Sequence, residues 1–152
     1  MKQTKTMAFI IIGGLMLFVM IVCLLHFLRP DKNPLSCFVS EYAVGSYSWL
    51  MTIAFYALVI GASFLLIALP KNSKGAVITL GIFCVGILLA AIFPTDLPGN
   101  PPTPGGLTHG FAALIALLSL GISMIAWGAV FKKNTKLNAM NSNLLDRAWQ
   151  RT

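Results

Sequence analysis

Four runs of about twenty apolar residues, each closed by proline or by lysine, leave this chain few ways to fold. They cover about Met7–Leu28, Trp49–Leu69, Ala76–Phe93 and His109–Phe131. At 1.5 Å per residue, about twenty helical residues cross a hydrocarbon core of about 30 Å. Each run is apolar on every side rather than along one stripe, as a helix surrounded by lipid or by other spans must be. Alternating ten-residue segments are absent, so a barrel is not expected, and backbone satisfaction in hydrocarbon then demands helices. The expected fold is all-α: a polytopic membrane protein, an antiparallel four-helix transmembrane bundle with two polar outer loops.

Composition supports this reading. Of 152 residues, 57% are hydrophobic and 10% charged, against about a quarter charged in soluble domains. Three cysteines without a CxxC or HxxxH spacing predict neither a disulfide framework nor a structural zinc site. The first run is longer than a signal-peptide core of about 7–15 residues, and Leu28-Arg29-Pro30-Asp31 is a poor cleavage site, so it is read as an uncleaved span.

The net charge of +7 is an orientation signal rather than a nucleic-acid footprint. Lys2, Lys5, Lys71, Lys74, Lys132, Lys133, Lys136, Arg147 and Arg151 fall on one side of the spans, Arg29 and Lys32 on the other. The positive-inside rule then places both termini on the cytoplasmic side of a cell membrane. Spans and loops fill residues 1–131. Residues 132–152 form a cytoplasmic tail in which Leu137, Met140, Leu144 and Ala148 recur at the spacing of an amphipathic interfacial helix.

The acids divide the opposite way. Asp31, Glu41 and Asp96 lie outside with His26 and His109, and only Asp146 lies inside. The candidate site is therefore an outer-face polar cluster of His26, Arg29, Asp31, Ser40, Glu41, Thr95, Asp96 and His109. In the first outer loop, Phe38, Val39, Tyr42 and Val44 suggest a short helix, and Tyr42, Tyr47 and Trp49 suggest interfacial aromatics. The second loop, Pro94 to Thr108, is a stiff strap dense in proline and glycine. Asp96 follows the negative end of the third helix, so a cation such as Arg29 or His26 is expected beside it. The pairs Gly106/Gly110 and Ala112/Ala116 have the small-xxx-small spacing of closely packed helices, which indicates packing and little more.

Two segments carry a family likeness. His26-Phe27-Leu28-Arg29-Pro30-Asp31-Lys32-Asn33-Pro34, with Ser40-Glu41-Tyr42-Ala43-Val44-Gly45 and Trp49-Leu50-Met51, is the first. Ile92-Phe93-Pro94-Thr95-Asp96-Leu97-Pro98-Gly99, with Gly106-Leu107-Thr108-His109-Gly110, is the second. Over about residues 7–131 the chain resembles the bacterial multi-pass membrane proteins grouped as domain of unknown function 998. The resemblance implies a helical bundle in a bacterial inner membrane, usually of six spans, of which four are present, and it implies no activity. The chain is then either a short member or a truncated one that needs a partner or a second copy.

Three functional readings follow. The first is binding of an amphiphile, a lipid headgroup or a partner protein at the outer cluster, with membrane lipid as surroundings and a homo-oligomer or an added membrane subunit as partner. The second is a membrane-embedded hydrolase or transferase acting on lipid through Asp31, Glu41, Asp96 and His109, by acid–base or metal chemistry. The third, a transporter subunit or an electron carrier holding haem between His26 and His109, has little support. The span centres offer only Thr52, Tyr56, Ser63, Thr79, Ser119 and Ser123. No cofactor and no resident metal are expected.

Overall fold

A computed structural model describes the backbone of residues 2–71 and 73–149, and the side chains of residues 5–71 and 73–135. It contains α1 (Lys2–Leu28), a 3₁₀ turn (Val39–Ala43), α2 (Ser48–Ala68), α3 (Lys74–Ile92) and α4 (Pro104–Trp149), with no strand among the described residues. All four helices contain a stretch long and apolar enough to cross a membrane, of 24, 21, 19 and 32 residues. The protein is an all-helical membrane protein.

Proline sets most of the boundaries. The last N–H of α1's ladder is that of Arg29, which donates to Leu25, and Pro30 has none to offer. Pro70 and Pro94 follow the ends of α2 and α3 in the same way. Helix α4 begins earlier than its apolar run, at Pro104. Proline there occupies the first helical position, where a missing N–H costs nothing, and the Thr103 hydroxyl caps the turn by accepting from the Gly106 N–H at 3.0 Å. Gly105 and Gly106 are thus helical, and the strap shortens to Pro94–Thr103. At the far end α4 continues without a break past Phe131 to Trp149. The side chains of the amphipathic pattern Leu137, Met140, Leu144 and Ala148 lie outside the described residues.

The helices pack in chain order, α1 on α2, α2 on α3 and α3 on α4, so that α1 and α4 form the two edges. In lipid, burial of apolar surface cannot drive helices together, and close backbone approach matters more. Two such approaches occur. A Cβ on Gly14 of α1 would lie 2.5 Å from the Ala57 carbonyl oxygen of α2, with Gly61 beside it. A Cβ on Gly86 of α3 would lie 2.8 Å from both the Ala112 carbonyl oxygen and the Ala116 Cβ of α4. Of the two small-xxx-small pairs, Ala112/Ala116 lies at a helix crossing, whereas a Cβ on Gly110 would meet nothing within 4 Å and Gly106 lies against Asp96 of the strap. The Ser123 hydroxyl adds a bond to the Ala76 carbonyl across α3 and α4. Leu25, Met51, Ala54, Phe55, Leu80, Phe83 and Ile87 fill the centre.

This topology gathers the C-terminal ends of α1 and α3 with the N-terminal ends of α2 and α4. That end carries Asp31, Glu41 and Asp96 and is called the acidic end below. The opposite end carries Lys5, Lys71, Lys74, Lys132 and Lys133 and is called the lysine end.

Candidate functional site

Arg29 organises the acidic end. It is the first residue past α1, and although charged it is only 7% exposed. Burying a guanidinium requires that its donors be satisfied, and four bonds do so. Nε and Nη2 donate to the two Asp31 carboxylate oxygens, each at 2.8 Å, and Nη1 donates to the Val44 carbonyl at 2.9 Å and the Ser46 carbonyl at 2.8 Å. The planar fork thus ties the end of α1 to the chain entering α2, which a lysine could not reproduce. Gly45 allows the approach: its φ of +85° suits glycine, and the guanidinium packs against it. The bonds from Arg29 hold the Asp31 carboxyl below its ordinary range, and the same pairing raises the guanidinium's own pKa.

A second ion pair lies beside the first. Lys32 Nζ donates to Glu41 Oε2 at 2.8 Å, and the Phe38 backbone N–H donates to Glu41 Oε1 at 3.0 Å. Glu41 stands three residues after Phe38, the position from which an acid reaches back to the start of a helical turn. Its carboxyl is held below the ordinary value, chiefly by Lys32, against the opposing effect of burial. Tyr42, expected at the interface, is instead 1% exposed. Its ring lies on His26, with centroids 5.3 Å apart, and its hydroxyl accepts from the Cys37 thiol. Burial is the main cause that pushes its phenol up to about 12. Trp49 and Tyr47 are exposed at the rim. Ser40 is half-buried within the 3₁₀ turn.

The second loop is built differently. Asp96 finds neither Arg29 nor His26 as a partner. Its carboxylate accepts from the Thr103 N–H and hydroxyl, each at 2.8 Å, and lies directly against Gly106, where a Cβ would overlap it. The charge that the end of α3 disfavours is met by the positive N-terminal end of α4. Thr95 sends its hydroxyl to the Asp96 carbonyl.

Both imidazoles serve helix carbonyls. His26 Nδ1 donates to Val22 at 2.6 Å, one turn back in α1. His109, 2% exposed, donates from Nδ1 to the Ala90 and Phe93 carbonyls at 3.0 and 2.8 Å. These belong to the last turn of α3, whose carbonyls lack helical partners, so His109 closes that helix end from α4. Carbonyl acceptors require the proton on Nδ1. The Phe55 ring meets the imidazole edge-on, and the buried Nε2 has no partner among the described residues.

Between the two loops lies an open recess of about 430 Å³ lined by Asp31, Lys32, Asn33, Ser36, Cys37, Glu41, Leu97 and Pro98. Of the expected cluster it collects Asp31 and Glu41. Arg29 supports it from behind, whereas His26, His109, Thr95 and Asp96 serve the helix ends and the strap. Sequence reasoning overlooked Lys32, Asn33 and Ser36 as lining. It overlooked Thr103 as well, although threonine before proline is a recognisable helix start. Among the described residues no three His, Cys, Asp or Glu side chains gather as metal ligands.

A sequence model of the family described as "Protein of unknown function (DUF998)" matches residues 11–142. No curated protein and no solved structure matches the chain.

Proposed function

The chain belongs to the DUF998 family, and from that premise, which carries no activity with it, we propose that its acidic end binds the polar head of an amphiphile. The observation that supports this is the recess between the two loops. Its cations and anions are already paired, Lys32 with Glu41 and Arg29 with Asp31. A head with a large net charge would have to break a pair, whereas a neutral or zwitterionic one can use the polar groups of Asn33 and Ser36 as they stand. Leu97 and Pro98 are apolar lining residues of the recess, and Leu35 and Phe38, which flank its lining residues Ser36 and Cys37 in sequence, are 96% and 75% exposed. A polar recess with apolar side chains at its margin suits a ligand with a head and a tail.

In this reading the lysine end is cytoplasmic and the recess opens on the outer face of a cell membrane, as the charge asymmetry argues. The role is binding rather than catalysis. Every carboxylate at this end accepts from a neighbouring cation, hydroxyl or backbone N–H, and His109 is committed to α3.

The test is mass spectrometry of lipids retained by the purified protein. Ser36→Trp, an exposed substitution that fills the recess, is expected to release an amphiphile that the parent protein retains. Identical retained lipids in both proteins would refute the reading.

A further inference from the structure

A second groove lies at the lysine end, where α2, α3 and α4 meet. It has a volume of about 350 Å³ and is lined chiefly by Leu65, Leu69, Leu80, Leu120, Trp127 and Phe131. We propose that this groove is a specific site for an anionic glycerophospholipid, with an acyl chain along the leucines, an ester oxygen at Trp127 and the phosphate between Lys71 and Lys132.

The order of chemistry along the groove carries the assignment. Around Leu80 and Leu120 the lining is apolar except for Ser123, whose hydroxyl is already committed to the Ala76 carbonyl. Farther out along α4, Trp127 is 6% exposed, and its indole N–H has no acceptor among the described residues. A buried donor without an acceptor costs free energy that a ligand oxygen can recover. Lys132 stands one turn beyond Gly128, on the same stripe as Leu120, Met124 and Gly128. Trp127 and Lys132 are thus about 7.5 Å apart along the helix axis. Lys71 follows Leu69 and Pro70 at the neighbouring helix end, where its ammonium donates to the Leu66 carbonyl. Mostly apolar lining, one neutral donor still without an acceptor among the described residues and then cations repeat the sequence of acyl chain, ester and phosphate in a glycerophospholipid.

Charge complementarity selects an anionic head. Asp31, Glu41 and Asp96, the acids with described side chains, are all at the opposite end, and neither Lys71 nor Lys132 has a carboxylate partner among the described residues. Each lysine near the membrane surface favours an anionic over a zwitterionic lipid by about fivefold. This site is independent of the recess at the acidic end, which suits a head without net charge.

The test uses the full chain in bilayers, with Trp49 and Trp149 replaced by Phe so that Trp127 is the sole indole. Small fractions of phosphatidylglycerol or phosphatidylcholine with brominated acyl chains are added, and quenching of Trp127 is read. Brominated phosphatidylglycerol is expected to quench at a mole fraction at least about fivefold lower, and about 25-fold lower if both lysines act in full. Lys71→Gln with Lys132→Gln should abolish that preference, and Lys5→Gln, at the same end on α1, should preserve it. Gly128→Leu should weaken quenching by both lipids. A Cβ at Gly128 meets nothing within 4 Å, so the added side chain occupies the groove without disturbing the helices. Equal quenching by the two lipids, equal loss in Lys5→Gln, or unchanged quenching in Gly128→Leu would each overturn the assignment.

Discussion

The two loops of the acidic end use their charges in opposite ways. In the loop between α1 and α2, the guanidinium of Arg29 and the carboxylate of Glu41 are both buried; Arg29 reaches the distant Val44 and Ser46 carbonyls, while Glu41 bonds within the loop to Lys32 and Phe38. In the loop between α3 and α4, Asp96 bonds only within its own strap, to Thr103 seven residues away, at an exposed site. The first arrangement joins two helices through desolvated charges. The second starts one helix. The lesson is that equal-looking polar loops differ in what a substitution costs, because buried charges cannot turn to water when a partner is lost.

That contrast can be broken most directly at Arg29. Arg29→Ala leaves the Val44 and Ser46 carbonyls without their donor, and thermal unfolding in detergent should show a loss of about 3 kcal/mol. Arg29→Lys should recover only part of it, since one ammonium cannot span the four acceptors. If Arg29→Ala costs no more than changes in the strap, the contrast fails.

The next effect probes the closest contact of the second loop. Gly106→Ala forces a methyl group into the Asp96 carboxylate and should cost about 2 kcal/mol, the scale of an overpacked site. Adding Asp96→Ala should restore part of the loss. Additive losses in the double variant would show that the two residues do not touch.

Acid should separate the loops further. The Glu41 carboxyl titrates below its ordinary 4.5 in the folded chain. The stability it contributes is therefore complete above that value and is lost as pH falls through the lower folded value. Unfolding temperatures measured from neutral pH downward should drop in this acid range. Glu41→Gln should cost about 1–2 kcal/mol at neutral pH and should flatten the acid limb. An unchanged acid limb in Glu41→Gln would assign the titration elsewhere, with Asp31, whose pKa Arg29 also lowers, the first alternative to check.

The smallest change belongs to the helix cap. Thr103→Ala removes the hydroxyl that accepts from Gly106 and donates to Asp96, and about 1 kcal/mol should be lost. Hydrogen exchange should quicken in the first turn of α4 while α1 and α2 stay protected.

Much of this molecule was legible in the residue order. Four apolar runs bounded by Pro30, Pro70, Pro94 and the Lys132-Lys133 pair specify four helices, because backbone in hydrocarbon has no other way to satisfy itself. Alternating chain direction then determines that Asp31, Glu41 and Asp96 share an end. Small-residue spacing was less telling, since Ala112 and Ala116 lie at a helix crossing while Gly106 and Gly110, spaced alike, do not. What only the tertiary structure decided was partnership. Arg29 chose Asp31 and two carbonyls rather than Asp96, Tyr42 turned inward onto His26, and His109 closed the end of α3. These choices depend on angles and on distances of about 3 Å between segments that hydropathy places only to within a helical turn. Hydrophobic patterning is additive along a chain, whereas a hydrogen bond depends on where two atoms finally meet.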